Sequence, residues 1–202
     1  MKYKHDLSSF EFQYTGISYP ARAIEPEFDG LTLSGSLVET GEHGNETIVA
    51  EVAGHVYPAE CGMPVCEWLD AMSADMSKFV CLFGSDGYPI DEVVKETLAT
   101  DIGPYLFLTN LVVKPSERGK EFGSITTLEA IKVWGSDADF VAINPFPLQF
   151  ANEGDNEFAG QFEGVEYEEA RAKLIAYYER IGFSLIQPKG CSGMMVLSSK
   201  CI

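Results

Sequence analysis

The sequence predicts a single α/β domain, residues 1–202, with a mixed, mostly antiparallel central sheet and helices on both faces. Three observations carry this reading. The first third alternates apolar and polar residues, as half-buried strands do. A nearly continuous apolar run, Tyr105-Leu106-Phe107-Leu108-Thr109-Asn110-Leu111-Val112-Val113, fits a strand buried on both faces. The remaining segments show helical spacing and are separated by short β-like runs, so helices are expected to cover the sheet from either side. With 46% hydrophobic residues over 202 positions the chain can bury one sizeable core, and a second domain is not expected.

Phe10, Phe12 and Tyr14 alternate with polar neighbours, and so do Leu31, Leu33 and Leu37. From Thr47 to Val56 the alternation places Ile48, Ala50, Val52, Gly54 and Val56 on one face. The turn formers Glu39-Thr40-Gly41-Glu42-His43-Gly44-Asn45 lie between these last two runs and imply a long antiparallel hairpin. Pro64 suits a first helical position, and Val65, Leu69, Met72, Met76 and Val80 then recur at helical spacing, predicting a helix of about four turns. A short helix follows from Asp91 to about Leu98. The turn Lys114-Pro115-Ser116-Glu117 leads into a helix from about Gly119 to Trp134. Phe140-Val141-Ala142-Ile143 reads as a short strand ended by Pro145 and Pro147. Residues 149–166 read as a long acidic loop. Ala170, Leu174, Tyr177, Tyr178 and Ile181 share a helix face, and Gly182 stops that helix. Two closing strands, 183–186 and 194–197, complete the order.

The net charge of -17 repels phosphate backbones, so nucleic acid is not an expected partner, whereas a cationic acceptor would be drawn in. The start, Met1-Lys2-Tyr3-Lys4-His5-Asp6, has no apolar stretch of the signal-peptide kind. No run of about eighteen apolar residues suggests a membrane span. Cys61, Cys66, Cys81, Cys191 and Cys201 form an odd set without metal-ligand spacing, and His5, His43 and His55 stand apart. Reduced thiols, no metal and a cytoplasmic location are therefore the expectation.

The chemistry concentrates at Leu111-Val112-Val113-Lys114-Pro115-Ser116-Glu117-Arg118-Gly119-Lys120-Glu121-Phe122-Gly123-Ser124. A buried strand here passes through a basic turn into a helix start, where unpaired N–H groups and the positive end of the macrodipole favour an anion. Three of only 14 basic residues (Lys114, Arg118 and Lys120) fall in this turn. A second motif follows, Tyr178-Glu179-Arg180-Ile181-Gly182-Phe183.

Together, in this order, the two motifs resemble those of the GNAT (GCN5-related) acyl-CoA N-acetyltransferase family. Its central strand, R/Q-x-x-G-x-G/A turn and helix match residues 108 to 134, and its Y-E-x-x-G-F pattern matches 178 to 183. The resemblance covers the C-terminal half well and the first hundred residues only in outline. It implies a GNAT-like sheet and an acyl-CoA-dependent N-acyltransferase, with acetyl-CoA or another acyl-CoA as co-substrate and a primary amine of a small molecule or protein as acceptor. The pyrophosphate would rest on the N–H groups of Gly119, Lys120, Glu121, Phe122, Gly123 and Ser124, with Arg118 adding charge. The strand backbone at Leu111, Val112 and Val113 would hold the pantetheine arm and polarise the thioester carbonyl. Tyr178 would return a proton to the departing thiolate. Glu121 replaces the first glycine of the pattern, so its carboxylate must face solvent for a diphosphate to bind.

Other candidates have simpler readings. Glu67 and Asp70 on the first helix, and Glu153, Asp155 and Glu157 in the acidic loop, read as solvated carboxylates, though each set could meet a cationic acceptor. Asn144 reads as a turn former before Pro145, and His55 as structural. Cys61 and Cys66 read as ordinary semi-buried thiols. The competing functional reading is a non-catalytic GNAT-shaped acidic module that docks a basic partner or mimics nucleic acid.

Overall fold

The computed structural model describes residues 9–18, 31–41, 43–59, 61–99, 103–150 and 166–198. Among them seven strands form one sheet in the order β1-β2-β3-β4-β5-β7-β6. The strands are β1 (Phe10–Ser18), β2 (Leu31–Thr40), β3 (Glu46–Tyr57), β4 (Tyr105–Val113), β5 (Phe140–Ile143), β6 (Ser184–Ile186) and β7 (Met194–Ser198). Every neighbouring pair is antiparallel except β4 and β5, which run parallel. The helices are α1 (Val65–Met72), α2 (Asp91–Thr97), α3 (Phe122–Trp134) and α4 (Tyr167–Arg180), with a 3-10 helix at Met76–Leu82. This is the mixed, mostly antiparallel sheet with helices on both faces that the sequence predicts. No helix among the described residues is long and apolar enough to cross a membrane.

Alternation along β4 and β5 supplies one core on each side of the sheet. Tyr105, Phe107, Phe140 and Ala142 point towards α1, the 3-10 helix and α2, where Trp68, Phe79 and Phe83 enclose them. Leu106, Leu108, Val141 and Ile143 point the other way and pack with Ala130 and Ile131 of α3 and Tyr178 and Ile181 of α4. Both faces of the paired stretches Tyr105–Leu108 and Phe140–Ile143 are dry, which explains their uninterrupted apolar sequence.

Three local expectations are corrected. The β3 alternation is broken at Val49: the register jumps between Leu37 and Val38 on β2, so Val49 and Ala50 are both buried and Ile48 is 43% exposed. A bulge turns two successive residues inward, which strict period-two reading does not anticipate. The four-turn helix divides at Ser73, whose backbone is extended (φ -173°, ψ 166°). Its hydroxyl accepts from Met76 N–H at 3.2 Å and starts the 3-10 helix afresh. Finally, the expected reduced thiols are not all free: Cys81 and Cys191 form a disulfide across a sequence separation of 110. Their spacing carries no motif, because only the folded sheet brings the 3-10 helix beside the β6–β7 turn. Cys61 and Cys66 are free and partly buried. Burial, then the carboxylates of Asp70, Asp86 and Glu67, push the Cys66 thiol up.

Candidate functional site

β4 and β5 pair only from Tyr105–Leu108 against Phe140–Ile143, and β5 ends there. β4 continues to Val113, still paired with β3 through Val52, Glu51 and Ala50. The two parallel strands therefore part after Leu108 and Ile143, leaving a fork. A register jump at Ala53/Gly54 makes Thr109 a bulged residue at the parting point, with its hydroxyl donating to the Ala53 carbonyl at 3.3 Å. Bulges re-aim the residues beyond them. Here Leu111 and Val113, rather than even-numbered residues, join the α3 side of the core.

The direction of the exposed backbone follows from the ladder. Lys114 N–H donates to Val49 O on β3 at 2.9 Å, and Val112 lies opposite Glu51. In an antiparallel pair alternate residues point both polar groups to the same side. Leu111 and Val113 consequently turn theirs into the fork. The Val113 carbonyl there accepts from Arg118 Nε at 3.3 Å.

The turn into α3 is shaped by two left-handed residues, Gly119 (φ 80°) and Glu121 (φ 65°). Glu121 occupies the N-cap without a side-chain cap bond, and its side chain is exposed. Ile125 N–H to Glu121 O (3.1 Å) opens the helix ladder, which places the positive end of the α3 macrodipole at this turn. No acidic residue lies in this first turn. The basic residues are partly engaged: Lys120 pairs with Glu117 at 2.8 Å, while Lys114 is exposed. The hydrogen bond from Lys120 holds the Glu117 carboxyl below its ordinary value, with Ser116 and Lys114 acting in the same sense.

α4 brings two phenols to this region. Tyr178 is buried in the cluster that contains Leu108 and Ile143, the last paired rung before the fork, with its ring against Phe183 at 5.7 Å. Burial first, and then Tyr177, push its ionisation well above the ordinary phenol range. Tyr177 was not singled out from the sequence beyond its place on the helix face. A Cβ at Gly123 would lie 2.7 Å from its hydroxyl and 3.3 Å from Val113, so Tyr177 sits over the start of α3. Burial raises its ionisation too, opposed by the nearby hydroxyls of Ser124 and Thr127 and by Arg180, yet no hydrogen bond of normal geometry reaches its oxygen. Only its adjacency to the motif tyrosine could have drawn attention to it.

On the far side of β4 a groove of about 430 Å³ runs between Glu46, Ile48 and Glu51 of β3 and Val112 and Lys114. Asn144 follows the last paired residue of β5, half-buried, with its carbonyl accepting from Phe146 N–H at 2.8 Å. His55 lies on the α1 side of β3, remote from that groove in register; its Nδ1 is 3.1 Å from the Thr32 hydroxyl and burial lowers its pKa. Glu67 and Asp70 are both exposed on α1, while Glu153, Asp155 and Glu157 lie outside the described residues.

No family model and no curated protein matches the chain. Among solved structures it is similar to a chain of the KacTA–DNA complex, with 14% identity, 95% of this chain and 94% of that chain covered, and a TM-score of 0.47. A point mutant of KacT is similar over 96% of both chains at 14% identity and a TM-score of 0.46. Arabidopsis thaliana NAA60 in complex with acetyl-CoA is similar over 82% of this chain and 73% of that chain, at 13% identity and a TM-score of 0.40.

Proposed function

We propose that the chain transfers an acetyl or other short acyl group from acyl-CoA to a primary amine by direct attack. The observation that carries this reading is the fork itself: β4 runs on past the end of β5, turns the Leu111 polar edge into the gap, and leads through a basic turn into the start of α3. An extended amide-bearing arm fits the first feature, and a diphosphate fits the second.

In this reading the pantetheine arm pairs with the Leu111–Val113 edge and the diphosphate meets residues 119–124, with Lys114, Arg118 and Lys120 adding positive charge. Arg118 already braces the Val113 carbonyl. A neutral amine attacks the thioester carbon, the C–N bond forms and the C–S bond breaks. Tyr178 passes its phenolic proton to the thiolate, and the proton shed by the nitrogen restores the phenol through solvent. The groove beside Val112 presents Glu46 and Glu51, which suits a cationic amine, as does the charge of -17.

Acetyl-CoA at about a hundred times its Kd is expected to stabilise the fold by about 2.7 kcal/mol. For a chain of this size that corresponds to a Tm rise of roughly 5–10 °C. Arg118→Ala should shrink the rise. A thermal-shift titration flat to millimolar acetyl-CoA would remove the proposal. Glu121→Gly tests the same cradle from the other direction. The left-handed N-cap costs a non-glycine residue about 1–2 kcal/mol, partly offset by the greater freedom of glycine when unfolded. The variant is expected to gain about 0.5–1 kcal/mol in chemical denaturation, and its acetyl-CoA shift should grow as a like charge leaves the diphosphate.

A further inference from the structure

The rim of the fork is closed by a ring of contacts that includes one covalent link. Starting from the 3-10 helix Met76–Leu82, the Lys78 ammonium lies over the Phe146 ring at 5.5 Å, in the segment that continues β5. Phe146 meets Tyr167, the first residue of α4, at 5.9 Å, and Phe150 meets it at 5.4 Å. One turn along α4, Arg171 donates to the Ser192 carbonyl in the β6–β7 turn. The neighbouring Cys191 then returns to Cys81 on the same 3-10 helix through the disulfide. Apart from that bond, the links are a cation–π contact, aromatic edges and one hydrogen bond at the surface, each weak alone.

We propose that Cys81–Cys191 is a redox latch on this rim: oxidised, it holds the 3-10 helix against the β6–β7 turn and closes the ring; reduced, it releases residues 144–150 and the turn. Both cysteines are partly exposed, so a small thiol can reach the bridge. A thiolate attacks one bridge sulfur to give a mixed disulfide and one protein thiolate. A second equivalent displaces the protein sulfur from the mixed disulfide. In sum two RSH become RSSR, and the bridge takes up two electrons and two protons. Burial and the carboxylates of Asp70, Asp86 and Glu67 disfavour the thiolate of the free Cys66, which makes it a poor competitor in this exchange. That this rim borders an acyl-CoA site rests on the function proposed above; the latch itself does not.

The test is hydrogen exchange by mass spectrometry on the full chain, after oxidised or reduced glutathione, with the bridge mapped by alkylation and peptide mass. Reduction is expected to speed exchange at 76–82, 144–150 and 188–193 about tenfold or more while α3 stays protected. Cys81→Ser and Cys191→Ser should show the fast rates in both conditions. Absence of the Cys81–Cys191 peptide from oxidised protein, or equal rates with the bond cut, overturns the latch. So does loss of protection in α3 as well, which would make the bridge a staple of the whole fold. A missing acetyl-CoA shift in both redox states would sink the transferase reading and leave the latch standing.

Discussion

Tyr178→Phe is expected to slow turnover by about 10²–10⁴-fold, the range for loss of one positioned general acid, while leaving the acetyl-CoA-induced Tm rise intact. The substitution keeps the ring against Phe183 and within the cluster holding Leu108 and Ile143, so little packing is lost. What disappears is the proton that the proposed reaction assigns to the departing thiolate. The pH behaviour follows from the sign of the shift. Burial raises the folded phenol above its unfolded value near 10, so both states are protonated below that pH and Tyr178 contributes no pH dependence to stability there. Above it the unfolded chain ionises first, and stability falls as pH rises. Turnover should accordingly show no alkaline limb from Tyr178 below about pH 10. Tyr177→Phe is the control, since its oxygen lies over Gly123 at the start of α3. If that variant loses the rate and Tyr178→Phe does not, the proton donor has been placed one residue too late.

Much of the scaffold was legible because its signals are local. The apolar run at 105–113 reads as a strand from its own composition, and it is β4 to the residue, with its first four residues buried. Gly182, with φ 104°, ends α4 as a residue free of a Cβ should. The failures share a different cause. The bulge at Val49 and the break at Ser73 are each decided by one residue turning against its neighbours' period, through a partner strand or a side-chain bond that sequence spacing does not contain. The Cys81–Cys191 pair, 110 residues apart, is a product of topology alone.

The candidate site divides the same way. Which strand and which helix start would face a diphosphate could be argued from Lys114, Arg118, Gly119 and Gly123. That the fork opens at Thr109, and that Leu111 and Val113 rather than Val112 turn their polar groups into it, depends on where β5 stops and on a bulge opposite Ala53. Motif matching also directed attention to Tyr178 alone. A helix face repeats every three to four residues, so adjacent tyrosines diverge by about 100° and reach different places. Tyr178 goes under the fork and Tyr177 over α3.

Phe107→Ala is expected to cost about 3–5 kcal/mol, a large part of the roughly 5–15 kcal/mol that holds a typical domain together. Phe107 is fully buried, and its ring lies within 6.4 Å of those of Trp68, Phe79, Phe83 and Phe140. These neighbours come from α1, the 3-10 helix, the residue that caps it and β5, so no single element can move in to fill the space. The Tm should fall by about 6–20 °C, at roughly 2–4 °C per kcal/mol for this length, read by circular dichroism. Phe107→Leu should recover most of it. Yet Phe107 lies in the paired half of β4, opposite Ala142, before the strands part. Its side chain points away from α3 and α4, where the fork's polar edge and Tyr178 are anchored. At a temperature where the variant is folded, acetyl-CoA should therefore raise its Tm by as many degrees as in the parent chain, within the reach of the changed unfolding enthalpy. Loss of that rise in a folded Phe107→Ala protein would show that the α1-side core sets the width of the fork, and would shift the functional weight from the β4–α3 turn to the helices between β3 and β4.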